Sequence, residues 1–222
     1  MDKDLRELCS RKAFLFDFDG VITDSEPFVF EVLKQMIKDN FGIELPYSDI
    51  NMTIGCSDRK VAEYIANEYH IDYSVELSEK LKKNYPDYYF EYEDIKPFPY
   101  LRDLLSILKD RGRKVAIVSS TDRAHLEAAL SRMGLSGFID TIISGSDVQN
   151  KKPSPEPYLK GLEALSVDKQ DAVVIEDSPT GIQSAVNAGI DCIGFEGSEV
   201  KQDTEKASII IASYKEMIEA IN

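Results

Sequence analysis

Short runs of β-branched and aromatic residues alternate with longer stretches of helical period along most of this chain, and that alternation constrains the fold more than any other feature. Ala13–Phe16 (AFLF), Val115–Val118 (VAIV), Thr141–Ile143, Ala172–Ile175 (AVVI), Asp191–Gly194 and Ile209–Ile211 are near-continuous apolar runs, as expected of strands covered on both faces. Helical segments are predicted between the later ones, at about Tyr100–Asp110, Asp122–Met133, Glu156–Leu165, Gly181–Ala188 and Tyr214–Ala220. Gly112, Gly134 and Gly189 stand where a left-handed helix-ending residue is wanted. The predicted class is α/β, a parallel sheet flanked by helices.

From about Glu26 to Glu93 the alternation stops. Helix-like segments at Pro27–Asn40, Tyr47–Ile50, Asp58–His70 and Ser74–Glu91 follow one another with no strand between them. Leu33, Ile37 and Phe41 repeat at four-residue spacing in the first, and Val61, Ile65 and Tyr69 in the third, which predicts amphipathic faces. A helical domain over residues 24–95 is therefore expected as an insertion into a sheet core of residues 1–23 and 96–222. Val21–Glu26 and Asp94–Pro99 would be its two hinges.

The length of 222 residues suits one core plus such an insertion. Twenty-six Lys and Arg against 40 Asp and Glu leave a net charge of −14. A surface so acidic repels phosphate backbones and anionic headgroups, so neither a nucleic acid nor a membrane is expected as partner, and an anionic substrate needs a local positive centre. Cys9, Cys56 and Cys192 are too scattered for a zinc site or a disulfide framework and read as buried, reduced thiols. MDKDLRELCSRK at the start has no signal-peptide character, which predicts a cytoplasmic protein. His70 and His125 fall in polar, helix-like segments and are expected at the surface, so imidazole catalysis is not indicated.

Two acid pairs follow buried strands. Asp17 and Asp19 occur in FDFDGVITDSE, and side chains at i and i+2 of an extended segment point the same way. Asp-Gly is also a common turn pair, so this motif alone is ambiguous. Glu176 and Asp177 end VVIEDSPTG, where four apolar residues run straight into two carboxylates, an expensive arrangement without a cation nearby. The competing reading is a helix cap by Asp177 or Ser178. Four acids meeting at one sheet edge suggest a divalent metal, and hard oxygen ligands with room for water favour Mg2+.

Ser119, Ser120 and Thr121 end VAIVSSTD and open a helix, where hydroxyls and free backbone N–H groups can receive an anion or merely cap the helix. Lys152 sits in QNKKPSPEP, a loop stiffened by three prolines, and could clamp a phosphate; its neighbour Lys151 is expected to face solvent. These signals fall at successive strand ends on one side of a parallel sheet, where open α/β folds bind ligands. Together they make up the parts of a phosphoryl-transfer site.

DxDGV at Asp17–Val21, the hydroxyl after the second strand, KPSPEPY and EDSPTG resemble, in order and spacing, the four motifs of the haloacid dehalogenase superfamily. The whole chain is similar to its branch with a Rossmann-like core and an inserted helical cap, which includes beta-phosphoglucomutase and many sugar phosphatases. The resemblance implies that Asp17 is the nucleophile that becomes an aspartyl phosphate and Asp19 the general acid and base. It implies phosphate binding by Ser119 and Lys152, with Ser120 adjacent, and Mg2+ held by Asp17, the backbone carbonyl of Asp19 and Asp177, with Glu176 beside it. An acid–base residue beside the nucleophile suits an alkoxide leaving group, whereas halide departs unassisted, so phosphate ester chemistry is expected over dehalogenation.

Within that branch, Val29 stands where the mutase has a histidine, and Gly55-Cys56-Ser57 is followed by Asp58 before Arg59, which displaces the mutase's cap arginine. Both departures favour a phosphatase of small phosphorylated metabolites, sugar phosphates foremost, over a sugar phosphomutase. Gly55 and Arg59 are the candidate specificity residues of the cap. A signalling receiver domain is disfavoured because its lysine comes last, whereas here Glu176-Asp177 follows Lys152. A phosphate-binding domain without turnover is the remaining alternative. The expected assembly is a monomer or weak dimer.

Overall fold

A computed structural model describes residues 4–52, 58–70, 95–198 and 200–222. By contacts the chain divides into two compact units, Met1–Asp24 with Asp94–Asn222, and Ser25–Glu93.

The first unit is built on a six-stranded, all-parallel sheet. Its strands are β1 (Ala13–Phe16), β2 (Lys114–Val118), β3 (Thr141–Ile143), β4 (Ala172–Glu176), β5 (Asp191–Phe195) and β6 (Ile209–Ile211), in the order β3-β2-β1-β4-β5-β6. All six occur where the apolar runs predict them. β1 and β4 are buried along their whole length, as parallel strands covered on both faces must be. The chain adds strands outward from β1 through β2 to β3, then returns to the other side of β1 with β4. That reversal makes the C-terminal ends of β1 and β4 the switch point of the sheet, where this fold class opens a crevice. Register pairs Phe16 with Ile175 on one side and Ile117 on the other, so the residues after Phe16 emerge beside Glu176 and Val118.

Helices of the same unit cover the sheet. In chain order the helices are α1 (Leu5–Cys9), then α2 (Glu26–Phe41) and α3 (Asp58–Glu68) of the second unit, then α4 (Leu101–Asp110), α5 (Arg123–Arg132), α6 (Glu156–Leu165), α7 (Pro179–Ala188) and α8 (Tyr214–Ile221) of the first. In α4, Leu101, Leu104, Leu105 and Leu108 form the buried stripe, the i, i+3, i+4, i+7 spacing of a helix lying on a core. Tyr158 and Leu162 of α6 and Ile182 and Ala185 of α7 join Leu15, Val118 and Val174 in one apolar cluster. Tyr214 of α8 stacks on Phe195 with ring centroids 4.4 Å apart, and its hydroxyl donates to the Val21 carbonyl at 2.7 Å. The helix α1 is not signalled by the sequence, because five residues are too few to show a period; Asp4 caps it by accepting from Arg6 N–H. No helix among the described residues is long and apolar enough to cross a membrane.

The second unit is helical where it is described. Phe30, Leu33 and Ile37 of α2 and Val61 and Ile65 of α3 are buried. Phe41 breaks the expected stripe: it ends α2 at the Gly42 cap and is exposed. A 3₁₀ turn, Tyr47–Met52, lies between the two helices, and the Tyr69 hydroxyl donates to Asp49 Oδ2 of that turn at 2.5 Å. The segment expected as a helix at Ser74–Glu91 lies outside the described residues.

Cys9 and Cys192 are buried free thiols, as expected, while Cys56 lies outside the described residues. His70 is exposed, whereas His125 is half-buried on α5 instead of lying at the surface.

Leu15 is fully buried in the central strand and Ile210 is 46% exposed on the edge strand β6. Leu15→Ala should therefore cost about 2–5 kcal/mol, and Ile210→Ala no more than ~0.5 kcal/mol, in urea unfolding. Equal losses at both positions would contradict this placement of the core.

Candidate active site

Pairing of β1 with β4 sets Asp17 beside Glu176, and the Asp17 N–H donates to the Ile175 carbonyl at 3.0 Å. Lys152 enters from the loop before α6. Its ammonium donates to Asp17 Oδ1 at 2.8 Å, Glu176 Oε1 at 2.7 Å and the Val118 carbonyl at 2.9 Å. An ammonium has three protons, and these acceptors use all of them. The side chains of Lys152 and Glu176 are 7% and 0% exposed, a depth at which a charge persists only when paired and hydrogen-bonded.

The loop that delivers Lys152 is held at both ends. Glu156, in the first turn of α6, accepts from the N–H groups of Gln149 at 2.8 Å and Asn150 at 2.9 Å. Those backbone bonds hold its carboxyl at about 2, below the usual range. From α7, Ser184 donates to the Ser154 carbonyl at 2.5 Å and the Asn187 amide to that of Pro153 at 2.8 Å.

Glu176 is saturated. Oε1 also accepts from the Tyr158 hydroxyl at 2.8 Å, and Oε2 accepts from Asp177 N–H and Ser178 N–H at 3.2 Å and Ser178 Oγ at 3.1 Å. Ser178 caps α7 by accepting from Gly181 N–H. A Cβ on Gly181 would stand 1.7 Å from Glu176 Oε1, and one on Gly20 would stand 2.0 Å from Asp177 Oδ2. The glycines of the DG and SPTG stretches are thus set by the close approach of carboxylates, and Gly20 further by its φ of +73°.

Carboxylate oxygens of Asp17, Glu176 and Asp177 lie within 4.8 Å of one another. Burial, then the Glu176 charge, push Asp17 up to about 7 against the pull of Lys152. Burial, then Glu176 and Asp17, push Asp177 up to about 9. Burial alone would lower Lys152, but Asp17 and Glu176 outweigh it and hold the lysine above its ordinary value. With all three carboxylates ionised, one ammonium leaves two negative charges, which one divalent cation would balance. Among the described residues, Asp17 Oδ2 and Asp177 Oδ1 accept no protein hydrogen bond, so oxygen donors remain for a hard cation such as Mg2+. The residues present fit that ion.

The other expected site residues fall as follows. Asp19 is half-buried and its Oδ2 accepts from Thr121 Oγ1 at 2.9 Å; its carboxylate is outside the three-acid cluster. Glu176, expected beside the metal, is within the cluster but spends both oxygens on Lys152, Tyr158 and the start of α7. Ser119 is buried and its Oγ accepts from Thr121 N–H at 3.1 Å, while Ser120 is exposed. Gly55 lies outside the described residues, and Arg59 falls on α3 with its side chain likewise outside them. Sequence reasoning gave no role to Tyr158 and Gln202. Tyr158 follows Lys152 within KPSPEPY and was open to notice, whereas Gln202, which donates to Asp177 Oδ2 at 3.0 Å across 25 residues of chain, carries no local signal.

A sheet of this topology, with acids and a lysine at its switch point, defines an α/β enzyme of the phosphoryl-transfer kind. The chain belongs to the haloacid dehalogenase-like hydrolase family, whose pattern it matches over residues 14–195. It is 33% identical over 184 residues to a phosphorylated carbohydrates phosphatase of Thermotoga maritima, covering 82% of this chain and 83% of that one. It is 31% identical over 179 residues to a phosphoglycolate phosphatase of Aquifex aeolicus, covering 80% and 81%. The crystal structure of a candidate beta-phosphoglucomutase from Thermotoga maritima superposes with a TM-score of 0.78 at 27% identity, covering 95% of this chain and 98% of that one.

Without a cation, Asp17 and Asp177 hold protons in the folded chain that the unfolded chain releases near 3.8. Their contribution to stability is therefore present below that value and is lost as pH rises through about 7 and about 9. In chelator, Asp177→Asn should melt higher than the parent at pH 8 and the gap should close toward pH 4. A gap that widens toward low pH would contradict the crowded-acid reading.

Proposed function

We propose that this chain is a Mg2+-dependent phosphatase of small phosphorylated metabolites, sugar phosphates foremost, that works through an aspartyl phosphate on Asp17. The observation that carries the reading is the division of the Asp17 carboxylate. Oδ1 is fixed by Lys152, while Oδ2 carries no protein hydrogen bond among the described residues and is left for the attack. Asp17 Oδ2 forms a bond to phosphorus as the ester P–O bond breaks, and Asp19 gives its proton to the departing alkoxide oxygen. Asp19 then takes a proton from the water whose oxygen attacks the phosphoryl group, which frees Asp17 and inorganic phosphate. Thr121 donates to Asp19 Oδ2 and so restrains that carboxylate.

Ser119 and Lys152 bind the phosphoryl oxygens, the lysine exchanging one of its three present acceptors for phosphate, and Lys152 supplies the positive centre that an anionic substrate needs at this cluster of acids. Asp17, the Asp19 carbonyl and Asp177 would hold Mg2+, which screens the repulsion between an anionic nucleophile and an anionic phosphate. The second unit, Ser25–Glu93, serves as the cap that selects substrate, with Gly55 and Arg59 in that role. A second reading, sugar phosphomutase, is favoured by the likeness to the candidate beta-phosphoglucomutase. The two phosphatase relatives favour hydrolysis, which needs no second substrate pocket.

A panel of sugar phosphates and small phosphorylated acids, read by phosphate release and by isomerised product, separates these readings. Phosphate release that stops in chelator is expected. Asp17→Asn should remove turnover with melting intact, and Asp19→Ala should slow it by about 10²–10⁴-fold. Turnover by Asp17→Asn near the parent rate would overturn the nucleophile assignment, and isomerisation without phosphate release would favour the mutase.

A further inference from the structure

We propose that Gln202 is a positioning residue for Asp177, holding one carboxylate oxygen so that the other faces the cation; the inference rests on the reading of Asp177 as a Mg2+ ligand. Gln202 lies in the irregular stretch between β5 and β6, and that stretch is pinned on both sides of it. Ser198, which is buried, donates to Asp24 Oδ1 at 2.8 Å and accepts from Val200 N–H at 3.0 Å. Thr204, also buried, donates to Glu196 Oε1 at 2.5 Å. Between these anchors the Gln202 amide reaches Asp177 Oδ2 at 3.0 Å. Toward an ionised Asp177 its NH2 group must face the carboxylate, because the amide oxygen in that place would meet another acceptor.

Gly20 packs against the same carboxylate, where a methyl group would stand 2.0 Å from Oδ2 and 3.2 Å from Oδ1. With Oδ2 taking the amide bond, Oδ1 is the oxygen left to a cation.

The choice of an amide has a physical reason. A lysine or arginine at this position would also orient Asp177, but it would cancel one of the two negative charges that the carboxylates leave after Lys152. Glutamine orients without neutralising, so the charge that attracts a dication is preserved. Outer partners of this kind set the geometry of metal-binding carboxylates.

Gln202→Met keeps the length of the side chain and removes the donor. Mg2+ titration of the full chain by calorimetry, with melting in chelator as the second readout, tests the role without recourse to turnover. Gln202→Met is expected to weaken Mg2+ binding by about 10-fold or more while melting in chelator stays level. Gln202→Lys is expected to weaken Mg2+ binding too, while raising the melting temperature in chelator at pH 8. Mg2+ affinity unchanged in both variants, with melting in chelator lowered, would make Gln202 a plain loop strap and overturn the inference alone. A parent chain that takes up no Mg2+ would overturn the metal reading and this inference together.

Discussion

The three-way bond from the Lys152 ammonium to Asp17, Glu176 and the Val118 carbonyl is the constraint on which the rest of the core unit depends. The C-terminal ends of β1, β2 and β4 each contribute one acceptor to it, so a single side chain from a distant loop stitches the three central strand ends together. Take the lysine away and two carboxylates are left buried and unpaired, an arrangement that costs several kcal/mol. Much of the nearby sequence serves to bring that one nitrogen into place. Glu156 folds the preceding residues back, α7 holds the backbone at Pro153 and Ser154, and Tyr158 finishes the satisfaction of Glu176.

The same bond sets the electrostatics. One ammonium among three carboxylates holds the strand ends together yet leaves the cluster short of positive charge, and the raised values of Asp17 and Asp177 express that shortage. Stability and chemistry pull in opposite directions here. A second lysine would calm the site but would cancel negative charge that draws a dication. Glu176 shows the division of labour: its oxygens are spent on structure, which frees Asp17 and Asp177 for a ligand.

Much of this was legible in the residues themselves. The strands were readable because parallel strands are apolar on both faces, and the acids were readable because each pair interrupts such a run. Strand order was not, since nothing in AFLF or AVVI states that they pair, and only the sheet shows that β4 lies against β1. The hydroxyls after β2 could be placed but not assigned: Ser119 accepts from the Thr121 N–H, while Thr121 makes the bond to Asp19. Gln202 was illegible because its contact with Asp177 spans 25 residues and crosses an irregular stretch without periodicity. Phe41 misled because a four-residue repeat carried past the end of its helix has no core left to face.

The proposed reaction requires a phosphoryl group resting on Asp17, and acid quench of the working enzyme followed by borohydride reduction and peptide mass spectrometry reads that residue directly. Reduction of an aspartyl phosphate leaves homoserine, so the account predicts homoserine at position 17 in the presence of substrate and Mg2+ and unaltered aspartate without substrate. Homoserine elsewhere, or steady phosphate release with position 17 never modified, would contradict it.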